Sequence, residues 1–225
     1  METSDILDAF NQTQTKINKA AEASGRSAKQ ITLIAVSKQQ NEDRIEASLT
    51  AGQRVFGENR VQEAQKRWAN RKNKYSDISL HLIGPLQSNK AADAVGLFDV
   101  IHTVDRPKIA MAISKEAARQ NKVIQCFIQV NTGDEPQKSG IAPKDLSSFM
   151  KFCHTEAGLQ IIGLMCIPPI DDLAALHFGF LKTLASRNNL TGLSMGMSSD
   201  YEEAIKFGAT HVRVGSALFG TRGQS

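Results

Sequence analysis

The stretch ITLIAV at residues 31–36 is a run of five apolar side chains and one threonine, without the polar alternation of a half-exposed strand. Such a run is typical of a strand in a parallel sheet that is covered by helices on both faces. Polar residues begin immediately after it, at Ser37 and Lys38. An amphipathic helical pattern over Asp5–Ala23 precedes it and ends at Gly25. The stretch therefore predicts a covered parallel strand that leads directly into a polar loop.

The same alternation of short apolar runs and amphipathic helical patterns continues along the chain. The predicted strands are Ile31–Val36, Arg54–Phe56, Leu80–Ile83, Val100–Thr103, Ile124–Val130, Leu159–Met165, Gly192–Met195 and His211–Val214. The predicted helices between them are Glu42–Ala51, Glu58–Asn73, Asn89–Gly96, Pro107–Gln120, Pro143–Glu156, Asp171–Arg187 and Ser199–Phe207. Eight such units predict an α/β fold, a single (β/α)8 TIM barrel with an extra N-terminal helix. An open doubly wound sheet is disfavoured because no Gly-x-Gly-x-x-Gly follows the first strand.

Composition limits the class of protein. We expect residues 1–225 to form one domain, in which residues 1–30 are the N-terminal helix and its lead-in. Hydrophobic residues make up 41% and charged residues 22%, which excludes disordered and fibrous classes. The apolar runs are too short for a membrane span, and the acidic N-terminus lacks the features of a secretory signal. Cys126, Cys153 and Cys166 are interpreted as reduced core residues, so we expect a cytoplasmic protein.

Much of the net charge of +4 comes from one basic run over residues 60–74. Its cations are Arg60, Lys66, Arg67, Arg71, Lys72 and Lys74, against the single acid Glu63. A basic helix can bind a phosphate backbone, but the only aromatic residues in or beside the run are Trp68 and Tyr75. We therefore interpret the run as a solvated helix face rather than a nucleic-acid surface.

Polar residues and glycines follow the predicted strands, at the end where (β/α)8 barrels carry their sites. The strongest such segments are Ser37-Lys38, Gly57-Glu58-Asn59, Gly196-Met197-Ser198 and Gly215-Ser216. Phosphate groups bind in these barrels after strands seven and eight, beside helix N-termini. A capping box at residues 199–202 and free amides at residues 215–217 fit that position. Together they predict a ligand that carries a phosphate. The histidines and cysteines lack metal-ligand spacing, and no Gly-x-Ser-x-Gly elbow is present.

Two cationic residues accompany this predicted phosphate site. Lys38 shares the strand parity of Ile34 and Val36, so its amine can enter the barrel mouth and attack an aldehyde such as that of pyridoxal 5'-phosphate (PLP). Its position alone favours a lysine that extends to solvent. Arg213 has the parity opposite to Val212 and Val214, so it faces the interior and needs an acceptor. A pyridine nitrogen and a nearby carboxylate both remain open as that acceptor.

Six blocks of sequence resemble those of a known family. They are Ala35–Lys38, Phe56–Asn59, His81–Lys90, Gly163–Met165, Leu193–Ser198 and Val212–Gly220. In this order, over about residues 31–222, they resemble the YggS/PROSC family of pyridoxal phosphate homeostasis proteins. The blocks that begin at His81 and at Leu193 are highly specific.

The resemblance implies a fold-type III barrel, like the N-terminal domain of alanine racemase, with PLP as the cofactor. It makes Lys38 the Schiff-base lysine and Arg213 the partner of the pyridine nitrogen. It places Ser198, Gly215 and Ser216 around the phosphate and Asn59 near the ring. The chain departs from the family at residues 39–40, where two glutamines replace the common Thr-Lys. Lys138 matches a further family lysine, which we interpret as an exposed loop residue, with a secondary cofactor contact as the alternative.

The resemblance further implies a non-catalytic protein that holds PLP as a Schiff base and buffers it or delivers it to PLP-dependent apoenzymes. The alternative is a PLP-dependent amino-acid racemase, which needs acid/base groups on both faces of the cofactor ring. Alanine racemase adds a tyrosine from a partner subunit and an extra β-domain, whereas this chain has only Tyr75 and Tyr201 as tyrosines. An arginine at the pyridine nitrogen also weakens the electron sink. We expect a monomer that has neither a membrane nor a nucleic-acid partner.

Overall fold

The structure, a computed structural model, describes residues 3–220. Within this range eight parallel strands form a closed barrel in sequence order, and the first strand pairs with the last. The strands are β1 (Thr32–Val36), β2 (Val55–Glu58), β3 (Ser79–Leu82), β4 (Val100–Val104), β5 (Gln125–Gln129), β6 (Gln160–Met165), β7 (Gly192–Met197) and β8 (His211–Val214). The predicted (β/α)8 barrel is confirmed.

Helices surround this barrel. They are α1 (Thr3–Ala23), α2 (Glu42–Thr50), α3 (Val61–Lys74), α4 (Ala91–Leu97), α5 (Pro107–Arg119), α6 (Leu146–Thr155), α7 (Ala174–Arg187), α8 (Tyr201–Lys206) and α9 (Ser216–Phe219). Single 3-10 turns lie at Ala28–Gln30, Ser88–Lys90 and Pro143–Asp145. Over residues 3–220, every helix is too short or too polar to cross a membrane.

The predicted extra helix is α1, which packs against α2, α8 and α9. Its apolar stripe, including Ile6, Phe10 and Ile17, is buried. The Phe10 ring meets Phe219 of α9 edge-on, with their centroids 6.0 Å apart. The N-terminal helix therefore covers the side of the barrel where β8 and its following helix lie.

Three predicted helix starts are wrong because acidic side chains have other partners. Glu58 belongs to β2, where it pairs with Leu82, and α3 begins only at Val61. The Asp172 carboxylate lies 3.2 Å from His177 Nε2 instead of capping a helix at residue 171, so α7 begins at Ala174. The predicted capping box at residues 199–202 does not form, since Asp200 accepts the Met197 N–H at 2.5 Å and α8 begins at Tyr201.

The barrel interior contains aromatic rings, where branched aliphatic residues are more usual. The His102 ring stacks on Phe127 with a centroid distance of 4.4 Å, and His81 lies 5.0 Å from His102. Burial lowers the pKa of His81 to about 3 and that of His102 well below its usual value. Both imidazoles are therefore neutral, and they form a polar but uncharged core beneath the C-terminal opening.

Candidate functional site

A cavity of about 350 Å³ opens at the C-terminal end of the barrel. It is lined by all six site residues predicted from the sequence: Lys38, Asn59, Ser198, Arg213, Gly215 and Ser216. These come from the ends of β1, β2, β7 and β8, so barrel closure brings the beginning and the end of the chain together. Further lining residues include Val36, Ile83, Ile167 and Met197, which supply apolar surface.

Arg213 is a buried cation at this cavity, with only 4% of its surface exposed. Its Nη1 donates to Ser194 Oγ at 2.7 Å, and its Nη2 donates to the Cys166 carbonyl at 2.9 Å. Within residues 3–220 it forms no salt bridge, so the carboxylate acceptor considered from the sequence is not its partner there. Burial lowers the pKa of Arg213, but a guanidinium stays charged at neutral pH.

Donors for an anion gather beside this arginine. Ser198 Oγ accepts the Gly215 N–H at 3.0 Å and the Ala217 N–H at 3.4 Å. The hydroxyl of Ser216 lines the same cavity, at the start of α9. The amides of Gly215 and Ala217, which were predicted to be free, are therefore already bonded to Ser198. The hydroxyls of Ser198 and Ser216 are the donors that suit the oxygens of a phosphate group.

Two of the three acidic residues at the start of α8 have other partners. Asp200 accepts the backbone N–H of Met197, and Glu202 pairs with Lys16 of α1 at 3.6 Å. Their carboxylates therefore have partners other than the Ser198 and Gly215 donors, so they do not remove those donors from the anion site.

Two glycines allow the site loops to approach one another. Gly196 has φ +90, and a Cβ there would lie 2.6 Å from Ala204 Cβ and 2.9 Å from Tyr201 Cα. Any other residue would therefore push the Ser198 loop away from α8. A Cβ on Gly84 would overlap with the backbone of Asn59. The loop after β3 thus packs directly against a residue of the cavity wall.

A buried polar cluster, which was not predicted from the sequence, lies beneath Lys38. We call it the Glu58 cluster (Ser37, Glu58, Arg67 and Trp68). The Glu58 carboxylate is fully buried. Its Oε1 accepts hydrogen bonds from Ser37 Oγ at 2.7 Å, Arg67 Nη1 at 2.8 Å and Trp68 Nε1 at 3.0 Å. A buried carboxylate is tolerated because several donors replace its lost hydration.

Arg67 connects this cluster to the backbone on both sides of Lys38. Its Nη1 also donates to the Ser37 carbonyl at 2.9 Å, and its Nη2 donates to the Gln40 carbonyl at 2.8 Å. One planar guanidinium thus binds two carbonyls of the loop and one carboxylate. We infer that Arg67 fixes the backbone from which the Lys38 side chain extends into the cavity.

The interpretation of residues 60–74 as a solvated face is wrong for its central cations. The side chains of Arg67 and Arg71 are only 13% and 16% exposed. Arg71 pairs with Glu42 and Glu46 of α2 at 2.6 and 2.7 Å, and Lys72 pairs with Asp99 at 2.6 Å. Fewer cations are therefore available to a phosphate backbone than the sequence suggests. The i, i+3, i+7 spacing of Val61, Ala64 and Trp68 is the signal that marks the buried side of α3.

Other reactive side chains lie outside the cavity or are unreactive. Burial raises the pKa of Cys153 and Cys166 to about 12 and also raises that of Cys126, so all three thiols are protonated at neutral pH. Lys138 is half-buried rather than exposed, and it pairs with Glu135 at 2.6 Å. It lines a separate cavity, together with Asn131 and Gln137.

Replacing Arg67 tests the Glu58 cluster. We expect Arg67→Met to lower the free energy of unfolding by about 3–5 kcal/mol, because it leaves the buried Glu58 charge without its cation. Urea denaturation followed by circular dichroism measures this change. The control is Lys66→Met, an exposed neighbour on the same helix, which should change stability by less than about 0.5 kcal/mol. Adding Glu58→Gln to Arg67→Met should recover part of the lost free energy of unfolding. If Lys66→Met and Arg67→Met lower stability equally, Arg67 does not neutralise a buried Glu58 charge.

The chain is similar to a known family and to known proteins. The family described as alanine racemase, N-terminal domain, matches residues 12–223. A pyridoxal phosphate homeostasis protein of Pseudomonas aeruginosa is 39% identical over 97% of this chain and 96% of its own length. A protein of the same name from Escherichia coli K12 is 37% identical over 98% of each chain.

Solved structures agree with these matches. PipY of Synechococcus elongatus, solved with PLP bound, has a TM-score of 0.80 and 37% identity, and covers 91% of this chain and 100% of that one. A protein from Bifidobacterium adolescentis has a TM-score of 0.90 at 30% identity, over 96% and 95% of the two chains. Sequence and fold thus agree over nearly the whole length, and the chain belongs to the family of pyridoxal phosphate homeostasis proteins, built on the barrel of the alanine racemase N-terminal domain.

Proposed function

We propose that this protein binds PLP reversibly at the C-terminal end of its barrel and acts in PLP homeostasis. The observation that carries the proposal is that one cavity joins a lysine, a buried arginine and a set of phosphate donors: Lys38, Arg213, Ser198, Gly215 and Ser216. The bound cofactor of PipY, a similar structure, supports the choice of PLP.

The donor set matches the chemistry of PLP group by group. The cofactor supplies an aldehyde, a phosphate and a pyridine nitrogen. The amine of Lys38 is suited to the aldehyde, with loss of water, and the donors around Ser198 and Gly215 are suited to the phosphate. Arg213 offers an N–H to an unprotonated ring nitrogen, and Asn59 lies on the cavity wall where it can contact the ring.

We further propose binding and delivery rather than turnover. A racemase needs a second acid/base group opposite the lysine, but neither Tyr75 nor Tyr201 lines the cavity. Tyr201 is 3% exposed and shares a side-chain hydrogen bond with Thr13 of α1. The cationic Arg213 disfavours a protonated ring and so weakens electron withdrawal from a bound substrate. We propose a monomeric cytoplasmic carrier that passes PLP to PLP-dependent apoenzymes, and the three buried free thiols suit a reducing compartment.

Lys38 should form the covalent link to the cofactor. We expect the purified protein, loaded with PLP, to be yellow and to become labelled at Lys38 after borohydride reduction, as mass spectrometry of its peptides would show. Lys38→Ala should lose both the visible absorbance and the label. Lys138→Ala is the control, because Lys138 lines a different cavity, and it should keep both. A protein that takes up no PLP, or a label on another lysine, would overturn this assignment.

The hydroxyls of Ser198 and Ser216 should contribute to phosphate binding. A hydrogen bond to a charged oxygen contributes about 1.5–3 kcal/mol, so the double variant Ser198→Ala/Ser216→Ala should bind PLP at least about tenfold more weakly. The backbone amides of Gly215 and Ala217 remain and limit the loss. Titration of the apoprotein by fluorescence measures the affinity. Pyridoxal, which lacks the phosphate, is the control ligand, and an equal loss for both ligands would place the phosphate elsewhere.

Catalytic turnover should be absent. We expect that the protein does not exchange the α-proton of alanine or other amino acids in deuterated water. Proton NMR measures this exchange. Arg213→Glu should introduce slow exchange, because a carboxylate favours a protonated pyridine nitrogen. Rapid exchange and racemisation by the wild type, at roughly 1–1,000 per second, would identify an enzyme instead.

A further inference from the structure

A chain of hydrogen bonds leads from Arg213 through the barrel interior. Arg213 Nη1 lies 2.7 Å from Ser194 Oγ, which lies 2.9 Å from His102 Nδ1. His102 Nε2 is 2.9 Å from His81 Nδ1, and His81 Nε2 is 3.1 Å from Ser79 Oγ. The links come from β8, β7, β4 and β3, and they connect the cavity to the N-terminal end of the barrel.

The direction of the first two hydrogen bonds follows from the chemistry of arginine. A guanidinium has donors and no acceptor, so Ser194 Oγ must accept from Arg213. Within residues 3–220, the two partners of Ser194 Oγ are Arg213 and His102. A hydroxyl oxygen can accept two hydrogen bonds, but if Ser194 Oγ accepted from His102 as well as from Arg213, its own buried hydrogen would lack an acceptor there. The arrangement in which every group is bonded has the Ser194 hydroxyl donating to His102 Nδ1.

The proton positions of both histidines follow from the direction of the Ser194 hydrogen bond. A neutral imidazole carries one proton, so His102, which accepts at Nδ1, must carry its proton on Nε2 and donate to His81 Nδ1. His81 then carries its proton on Nε2 and donates to Ser79 Oγ. Burial keeps the pKa values of both rings low, and the positive charge of Arg213 lowers that of His102 further. Every hydrogen in the chain therefore has one position.

We propose that Ser194, His102 and His81 are positioning residues for Arg213, and that the charge at residue 213 sets the tautomers of both histidines. Two of the arginine's five N–H groups are used by Ser194 and Cys166, on the side away from the cavity. The chain thereby holds the guanidinium in one orientation and leaves its other donors for the ligand in the cavity. Only the identity of that ligand rests on the proposed function; the proton arrangement is a property of the protein itself.

The tautomers are measurable without any cofactor. In the full-length protein labelled with ¹⁵N-histidine, long-range ¹H–¹⁵N spectra distinguish Nδ1–H from Nε2–H rings. The variants His81→Gln and His102→Asn assign the two signals. We expect both rings to be neutral with the proton on Nε2. A wild-type His102 with its proton on Nδ1, or with two protons, would overturn the proposal.

Reversing the charge at residue 213 gives a second test. In Arg213→Glu the carboxylate accepts from Ser194, so His102 and His81 should both change to the Nδ1–H form. Arg187→Glu makes the same change on the exposed face of α7 and should leave both tautomers as they are. Adding Ser194→Ala to Arg213→Glu should prevent the reversal, since it removes the connecting hydroxyl. Unchanged tautomers in a folded Arg213→Glu protein would contradict the proposal.

Milder variants keep the positioning role testable if Arg213→Glu does not fold. Ser194→Ala and His102→Leu should each lower PLP affinity, by about tenfold for Ser194→Ala, because Arg213 loses an oriented acceptor. His102→Asn keeps an acceptor at the position of Nδ1 and should recover affinity relative to His102→Leu. Equal affinity in all three variants would overturn the positioning role, whereas a protein that binds no PLP would refute the proposed function and leave the tautomer result intact.

Discussion

The pairing of β1 with β8 is the constraint on which the site depends. It places Ile34 opposite Arg213 and Ala35 opposite Val214, although these residues lie near opposite ends of the chain. Since parallel strands end at the same edge, the loop that carries Lys38 meets the loop that carries Gly215. In an open sheet these two strands would be separated, and the lysine, the arginine and the phosphate donors would not share a cavity.

Two buried polar systems hold the two cationic residues of the cavity. The Glu58 cluster fixes the loop around Lys38 through the guanidinium of Arg67. The interior chain that begins at Ser194 holds the guanidinium of Arg213. Buried polar groups contribute little net stability, but groups with several hydrogen-bond partners allow few alternative geometries. This holds for Glu58 Oε1 with its three donors, although Glu58 Oε2 has no hydrogen-bond partner among residues 3–220. Both systems therefore restrict the orientation of a residue of the cavity wall through contacts within the protein.

The same arrangement favours holding a cofactor over using it for catalysis. In the proposed binding mode the positive charge of Arg213 lies beside the pyridine nitrogen, and the neutral histidine chain beneath Arg213 carries no compensating negative charge. The tyrosines lie outside the cavity, where they cannot act on the opposite face of a ring. Under the proposed function, the same contacts would hold the cofactor and activate a substrate only weakly, which suits a homeostasis protein.

Local pattern predicted the barrel and placed the six cavity residues at or near strand ends, and the family resemblance selected them from the other residues there. The boundaries of β8 agree at both ends, and Lys38, Asn59 and Ser198 lie after their strands as expected, because strand ends and turn residues are encoded within a few positions. Glu58 was assigned to a helix and Arg67 to a solvated face, because their mutual contact and the contact with Ser37 join separate elements. The alignment of His81, His102 and Ser194 likewise exists only once β3, β4 and β7 share one interior. The residues that end the strands can be recognised from the amino-acid sequence alone. Which buried polar groups meet depends on the three-dimensional fold, because hydrogen bonds between distant elements leave no periodic trace in the sequence.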